Sequence, residues 1–271
     1  MPYRVRRWTP RLDCLDGRVL PSVTITETDG VLVVRGDQYS NIIEITDDGT
    51  ADAGAVVVDA DGEIYESVGL ITKVRVIGWN GADSVNYSLT GDLVTDRTLA
   101  VFLGNQDDTF EANLNGWDID AANLLVLVYG GNGQDSLAFH GLGTDVGADS
   151  SLTVRLLGGN GMDSLRVDYS GVLIGDATFR TFGGNGKDTV TANLTLPEPG
   201  TSETGETTET STGTLTARFC GGNGVDDLTV TVAGIAENDL SSFDVLVHGG
   251  HGKDNFTTSG VTAVDAPKST T

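Results

Sequence analysis

The sequence predicts an all-β protein, a right-handed parallel β-solenoid of about seven coils with 25–28 residues each and one GGNGxD turn per coil. Three observations predict it. An aspartate follows a glycine cluster at Asp83, Asp108, Asp135, Asp163, Asp188, Asp226 and Asp254, at intervals of 25, 27, 28, 25, 38 and 28 residues. Self-similarity at such a period marks units that bury an apolar face only against their neighbours. Apolar residues alternate with others on both sides of each cluster, the period of a strand. Crossovers between parallel strands, finally, are right-handed in nearly every known sheet.

Residues 1–22, "MPYRVRRWTPRLDCLDGRVLPS", open on Arg4, Arg6, Arg7 and Arg11 but lack the continuous apolar stretch of a standard signal peptide, so they read as a tail. Residues 23–72 carry the strand patterns "VTITETDGVLVVRG" and "NIIEITDDG", with Asp-Gly pairs that favour hairpin turns. This segment is expected to cap the rod, because an exposed solenoid end is an unpaired strand edge. Within it "RGDQYSNII" reads as a degenerate first turn, with Asn41 at the aspartate position. The tripeptide Arg35-Gly36-Asp37 recurs by chance in unrelated chains and carries no adhesive assignment.

Residues 73–258 form the repeat domain. Before each turn run Val74 and Val76, Leu99 and Val101, Val126 and Val128, Val154 and Leu156, Val245 and Val247. After it, two residues past each aspartate, come Val85, Phe110, Leu137, Leu165, Val190, Leu228 and Phe256, an expected internal ladder. The rest of each unit, such as "DYSGVLIGDATF", is read as the return path with a short third strand. The 38-residue interval contains "LPEPGTSETGETTETSTGT" at 196–214, rich in Thr, Glu and Gly and without apolar periodicity, expected as a flexible insertion opposite the turns. Residues 259–271 read as a C-terminal tail.

With 39 acidic against 16 basic residues and a net charge of -23, the chain is a poor match for nucleic acid, which needs clustered Lys and Arg against phosphate. Cations are the expected partners. No apolar run is long enough for a membrane-spanning helix. Cys14 and Cys220 form neither a disulfide framework nor a CxxC metal pair.

The unit "GGNGMDSL" at 158–165 is similar to the haemolysin-type (RTX) calcium-binding nonapeptide, G-G-x-G-x-D-x-U-x with U a large apolar residue. The resemblance implies Ca²⁺ between stacked turns, held by aspartate carboxylates and backbone carbonyls. The chemistry suits these residue types: calcium takes six to eight oxygens, and carbonyls converge on it only where glycine lets the backbone curl. Asparagine at the third position also tolerates the left-handed region. The candidate sites are Gly130, Gly131, Asn132 and Gly133 with Asp135; Gly158, Gly159, Asn160 and Gly161 with Asp163; Gly183, Gly184, Asn185 and Gly186 with Asp188; and Gly221, Gly222, Asn223 and Gly224 with Asp226. The last turn has Gly249, Gly250 and Gly252 with Asp254, and His251 in place of Asn. Two early turns depart further. Trp79 replaces the second glycine before Asp83, and Leu103 and Gln106 replace two glycines before Asp108. Family members repeat the nonapeptide in tandem, whereas this chain has one per coil, so one edge of the rod is expected to bind at most about six ions.

"RLDCLDGRVLPS" resembles an N-terminal segment common in exported and surface proteins of planctomycete bacteria, which implies a secreted or cell-surface location. The expected function is a non-catalytic, calcium-binding structural or adhesive module. The alternatives are a carbohydrate-binding accessory module, for which the outward column Arg75, Arg155, Arg180 and Arg218 is the place to look, and a polysaccharide lyase or epimerase, since such enzymes also use β-helices. Proton abstraction needs bases set beside acids, and no sequence cluster of Lys, Arg and His provides them. A cell-surface or matrix polysaccharide is the expected macromolecular partner.

Overall fold

The computed structural model describes residues 23–197, 210–235 and 239–265. The tail 1–22, most of the insertion (198–209) and the chain end (266–271) lie outside the described residues. No helix occurs among those described.

Five strands come first: β1 (Thr24–Thr28), β2 (Val31–Arg35), β3 (Ile42–Asp47), β4 (Val56–Ala60) and β5 (Glu63–Glu66). The repeats then supply strand pairs around each turn: β6 (Lys73–Asn80) and β7 (Ser84–Leu89), β8 (Arg97–Asn105) and β9 (Thr109–Asn113), β10 (Asn123–Asn132) and β11 (Ser136–Leu142), β12 (Ser151–Asn160) and β13 (Ser164–Ser170). They continue as β14 (Asp176–Asn185) and β15 (Thr189–Thr195), β16 (Thr214–Asn223) and β17 (Asp227–Ala233), β18 (Ser242–His251) and β19 (Asn255–Ser259), with β20 (Ala263–Asp265) last.

They form two ten-stranded sheets, one ordered β1-β2-β6-β8-β10-β12-β14-β16-β18-β20 and the other β19-β17-β15-β13-β11-β9-β7-β3-β4-β5. From β2 and β3 onward every neighbouring pair along the rod is parallel, as a solenoid requires. β2 and β3 already make one coil, joined by the turn at 36–41, into which the Arg-Gly-Asp tripeptide runs from the end of β2. Asn41 stands in that turn where later coils have aspartate, and its backbone N–H donates to Asp83 Oδ1 at 2.8 Å. Among the described residues, antiparallel pairs occur only at this end, β1 on β2 and β3-β4-β5.

Inward positions stack into apolar columns. Val85, Phe110, Leu137, Leu165, Val190 and Leu228 are buried one above another, with Phe256 at the end only partly covered. Each full burial of this kind contributes about 1.5–3 kcal/mol. The return side is thinner than the sequence suggests. Instead of a third strand, four successive coils contribute one bridged residue each, in the column Leu93, Ile119, Val146 and Leu173, because the Gly, Asp and Thr around these positions turn the chain before a ladder can form. That column ends where the insertion joins: Ser211 Oγ accepts the Leu173 N–H at 3.0 Å.

Candidate metal centre

Each turn is built from one strand that runs through the third motif position and a second that starts just after the aspartate. In the register of β10 and β12, Gly131 pairs with Gly159 and Asn132 with Asn160, while the first glycine is passed over. The glycines have separate reasons. A Cβ on the first, Gly130, would overlap Asp135 Oδ2, which folds across it. The second and fourth hold positive φ, +120° at Gly159 and +143° at Gly161, and a Cβ on either would enter the carbonyl oxygen of the preceding coil.

Where the motif departs, φ stays positive. Trp79 and Gln106 adopt φ of 84° and 80° at glycine positions, conformations that strain an L side chain. Gly161→Ala is therefore expected to lose about 3 kcal/mol through overlap and strain, whereas Gln106→Gly, at an exposed site, gains about 1 kcal/mol. Urea unfolding of both variants checks the pair, and a Gln106→Gly protein less stable than the parent would show that its turn is not strained.

Two columns run up this edge. The outer one is asparagine: Nδ2 of Asn105, Asn132, Asn160, Asn185 and Asn223 each donates to Oδ1 of the asparagine one coil earlier, at 2.7–2.8 Å. The inner one is aspartate. Oδ1 of Asp83, Asp108, Asp135, Asp163, Asp188, Asp226 and Asp254 each accepts a backbone N–H from the matching residue one coil earlier, at 2.7–3.0 Å. The other oxygen, Oδ2, is buried in all seven and has no hydrogen-bond partner among the described residues. All seven predicted aspartates thus share one line.

Such an arrangement is costly for charged carboxylates. Burial, only partly offset by the N–H bonds and reinforced in most by neighbouring aspartates, pushes Asp83, Asp135, Asp163, Asp188 and Asp226 up to about 6. Asp108 rises to about 7, with Asp135, Asp83 and Asp107 adding repulsion to burial.

The donor set fits a hard cation in chemistry. Beside each orphaned Oδ2 stands a main-chain carbonyl of the next coil: Gly158 O at Asp135, Gly183 O at Asp163, Gly221 O at Asp188 and Gly249 O at Asp226, each located by its closeness to the same turn glycine. These are all oxygens, as Ca²⁺ prefers. No group of three or more His, Cys, Asp or Glu side chains converges among the described residues, so carbonyls would have to complete any coordination shell.

Three clusters escape motif reading. Asp92, Asp118 and Asp145 form a second acidic column at the return corner: Oδ1 of Asp92 and Asp118 accepts the next aspartate's N–H, and that of Asp145 accepts Val172 N–H. Their spacing follows the coil period, the signal that would have found them. Bases do gather beside acids, contrary to the sequence reading: Asp168 Oδ2 accepts Arg166 Nε at 2.6 Å and faces His140 Nδ1 at 3.0 Å, while Oδ1 accepts Asn193 Nδ2 at 2.8 Å. Burial alone would raise Asp168, yet these hydrogen bonds and the charges of Arg166 and His140 hold it below the usual carboxylate range. The residues come from three neighbouring strands, β11, β13 and β15, so coil stacking and not sequence adjacency assembles them. The third cluster, Asp47 with Tyr87 and Arg97, ties the first coil to the next two.

Comparison with protein-family models, with curated proteins and with solved structures finds no match.

Proposed function

We propose that this β-solenoid is a non-catalytic structural module of an exported or cell-surface protein, whose turn edge takes up Ca²⁺. One observation carries the reading: seven buried carboxylate oxygens in line, without hydrogen-bond partners among the described residues, in a chain of net charge -23. A column of like charges at strand spacing, about 4.8 Å, is repulsive unless something neutralises it. The motif's similarity to the RTX nonapeptide supports calcium as the neutralising ion. The ligands would be Asp135, Asp163, Asp188 and Asp226 with carbonyls of the adjoining coil, and the same positions at Asp83, Asp108 and Asp254 in the altered turns.

If the sites bind with the affinities of extracellular modules, about 10⁻⁴ to 10⁻³ M, calcium at ten times Kd adds about 1.4 kcal/mol per site. Several sites would raise Tm by about 10 °C or more. Thermal melts in 5 mM calcium, 5 mM magnesium and excess chelator check this. The expected result is a rise with calcium well beyond that with magnesium.

A second reading is favoured by the asparagine ladder and the Oδ1 hydrogen bonds, which close the turn without metal. Protons would then occupy the column. In that case the melt responds to pH but stays the same in calcium and chelator, which overturns the calcium reading.

A further inference from the structure

We propose that the outer face of the first sheet carries a docking strip for a linear carboxylated polysaccharide, laid along the rod over Arg155, Arg180 and Arg218. The inference is independent of calcium. These three arginines are directly opposite one another in the parallel registers of β12, β14 and β16, which places their rows about 4.8 Å apart. Like charges in that position destabilise a sheet. In so acidic a chain a neutralising partner would be easy to supply, yet Arg155 and Arg180 make no ion pair or side-chain hydrogen bond among the described residues. Arg218 reaches only Asp244, at 4.0 Å, with both side chains about half exposed. The cationic row is thus left open to an anion from outside.

The ground beside it is apolar. Leu157 and Phe182 stand two residues further along the same strands and, with the arginines, line a cavity of about 250 Å³. Phe182 is 46% exposed. The same column continues to Tyr129, stacked on Phe102 at 5.2 Å, where Arg75 lies over the Phe102 ring at 5.3 Å. On the other side of the arginines runs a hydroxyl row through Thr153, Thr178 and Thr216. Over the coils of β12, β14 and β16, rows of hydroxyl and guanidinium side chains therefore run parallel to the axis beside the apolar Leu157 and Phe182.

A ligand that matches must present anions, apolar faces and hydroxyls along the axis. A uronic acid polymer offers all three: each ring carries one carboxylate, a face of C–H groups that packs on Phe182 and Leu157, and hydroxyls for the threonines. An extended peptide fits less well. Its backbone finds partners at a sheet edge and not on a sheet face. Arginine suits the carboxylate, to which its planar fork binds bidentately.

The test is calorimetric titration of the full chain with a decamer of galacturonate at low ionic strength, in calcium and in chelator, with a neutral dextran decamer and poly-glutamate as comparisons. Binding of the uronate and not of dextran is expected, weakened at least tenfold in Arg155→Gln/Arg180→Gln and several-fold in Phe182→Ala. Circular dichroism of both variants should match the parent's, and Tm of Arg155→Gln/Arg180→Gln should be at or slightly above the parent's because the repulsion along the row is relieved. Failure of the parent to bind, equal binding by the double variant, or binding of poly-glutamate as tight as uronate would each overturn the proposal. The calcium reading is judged by the melts, so either idea can fail alone.

Discussion

With calcium chelated, Tm is expected to fall as pH rises from about 4 to 7.5, the reverse of the behaviour of a protein whose carboxylates are mostly salt-bridged. Six carboxyls of the column are pushed to about 6 or about 7 in the folded chain, first by burial, against about 3.9 for an unfolded aspartate. Between those values the folded column keeps protons that the unfolded chain has released. Stability is then greatest below about pH 4 and is lost as pH rises through the folded values. Asp168 and Asp227, held low by their hydrogen bonds, act in the opposite direction, but they number two against six. A two-unit shift corresponds to about 3 kcal/mol per group. Stacked neighbours titrate as a set and not independently, so the whole column is expected to cost several kcal/mol by neutral pH, or about 10 °C in Tm. The growing net negative charge adds to the same trend. Calcium should flatten the curve above about pH 6 by replacing protons.

The chain carries its own control for this effect. Asn41 holds the column position in the first turn, where its uncharged side-chain oxygen accepts Asp37 N–H at 3.2 Å. Asp163→Asn should keep the Oδ1 acceptor while removing the charge, so in chelator at pH 7.5 it gains roughly 1–3 kcal/mol and shows a shallower pH slope. In calcium the same variant should lose part of the metal-dependent rise. A chelated Tm that is constant or climbs between pH 5 and 7.5 would mean that the seven Oδ2 atoms are satisfied by something other than protons.

The architecture was legible because a solenoid places every repeat in the same environment. Val126 and Val154 face the same core for the same reason, so the pattern adds up over coils instead of being read once. The turn column was legible through glycine and aspartate at fixed spacing. What escaped depends on contacts between coils at positions outside the motif. His140, Asp168 and Asn193 are 28 and 25 residues apart, and nothing in their local sequence marks them as neighbours until the register is known. The third strand failed for a local reason: the bridged residues Leu93, Ile119, Val146 and Leu173 each stand alone between chain reversals. Trp79 and Gln106 show the opposite lesson. Stacking between neighbouring coils holds both at positive φ, so a weak motif match did not remove the left-handed turn.

Arg97→Met is expected to destabilise the protein by about 3–5 kcal/mol, because it strands a buried carboxylate. Arg97 and Asp47 are essentially inaccessible, and they meet in a bidentate pair, Nε to Oδ2 at 2.6 Å and Nη2 to Oδ1 at 2.9 Å. Tyr87 donates its hydroxyl to the same Oδ2 at 2.8 Å, and Gly49 N–H donates to Oδ1 at 2.9 Å. Burial, then the Asp47 charge, raises the Tyr87 hydroxyl well above its ordinary value, so it remains a donor at every working pH. Asp47 ends β3, Tyr87 lies on β7 and Arg97 opens β8, so one carboxylate joins three successive coils where the regular repeats meet the N-terminal strands. Removing the arginine leaves Asp47 with two donors but no countercharge. Replacing both residues, as Arg97→Met/Asp47→Leu, removes the buried charge altogether and should recover most of the loss. A double variant as unstable as the sum of its single changes would show that the pair acts through packing alone. Coils couple chiefly to their neighbours. Hydrogen exchange in Arg97→Met should therefore accelerate first in β3 and β7, while the amides of β13 and β15, several coils away, retain most of their protection.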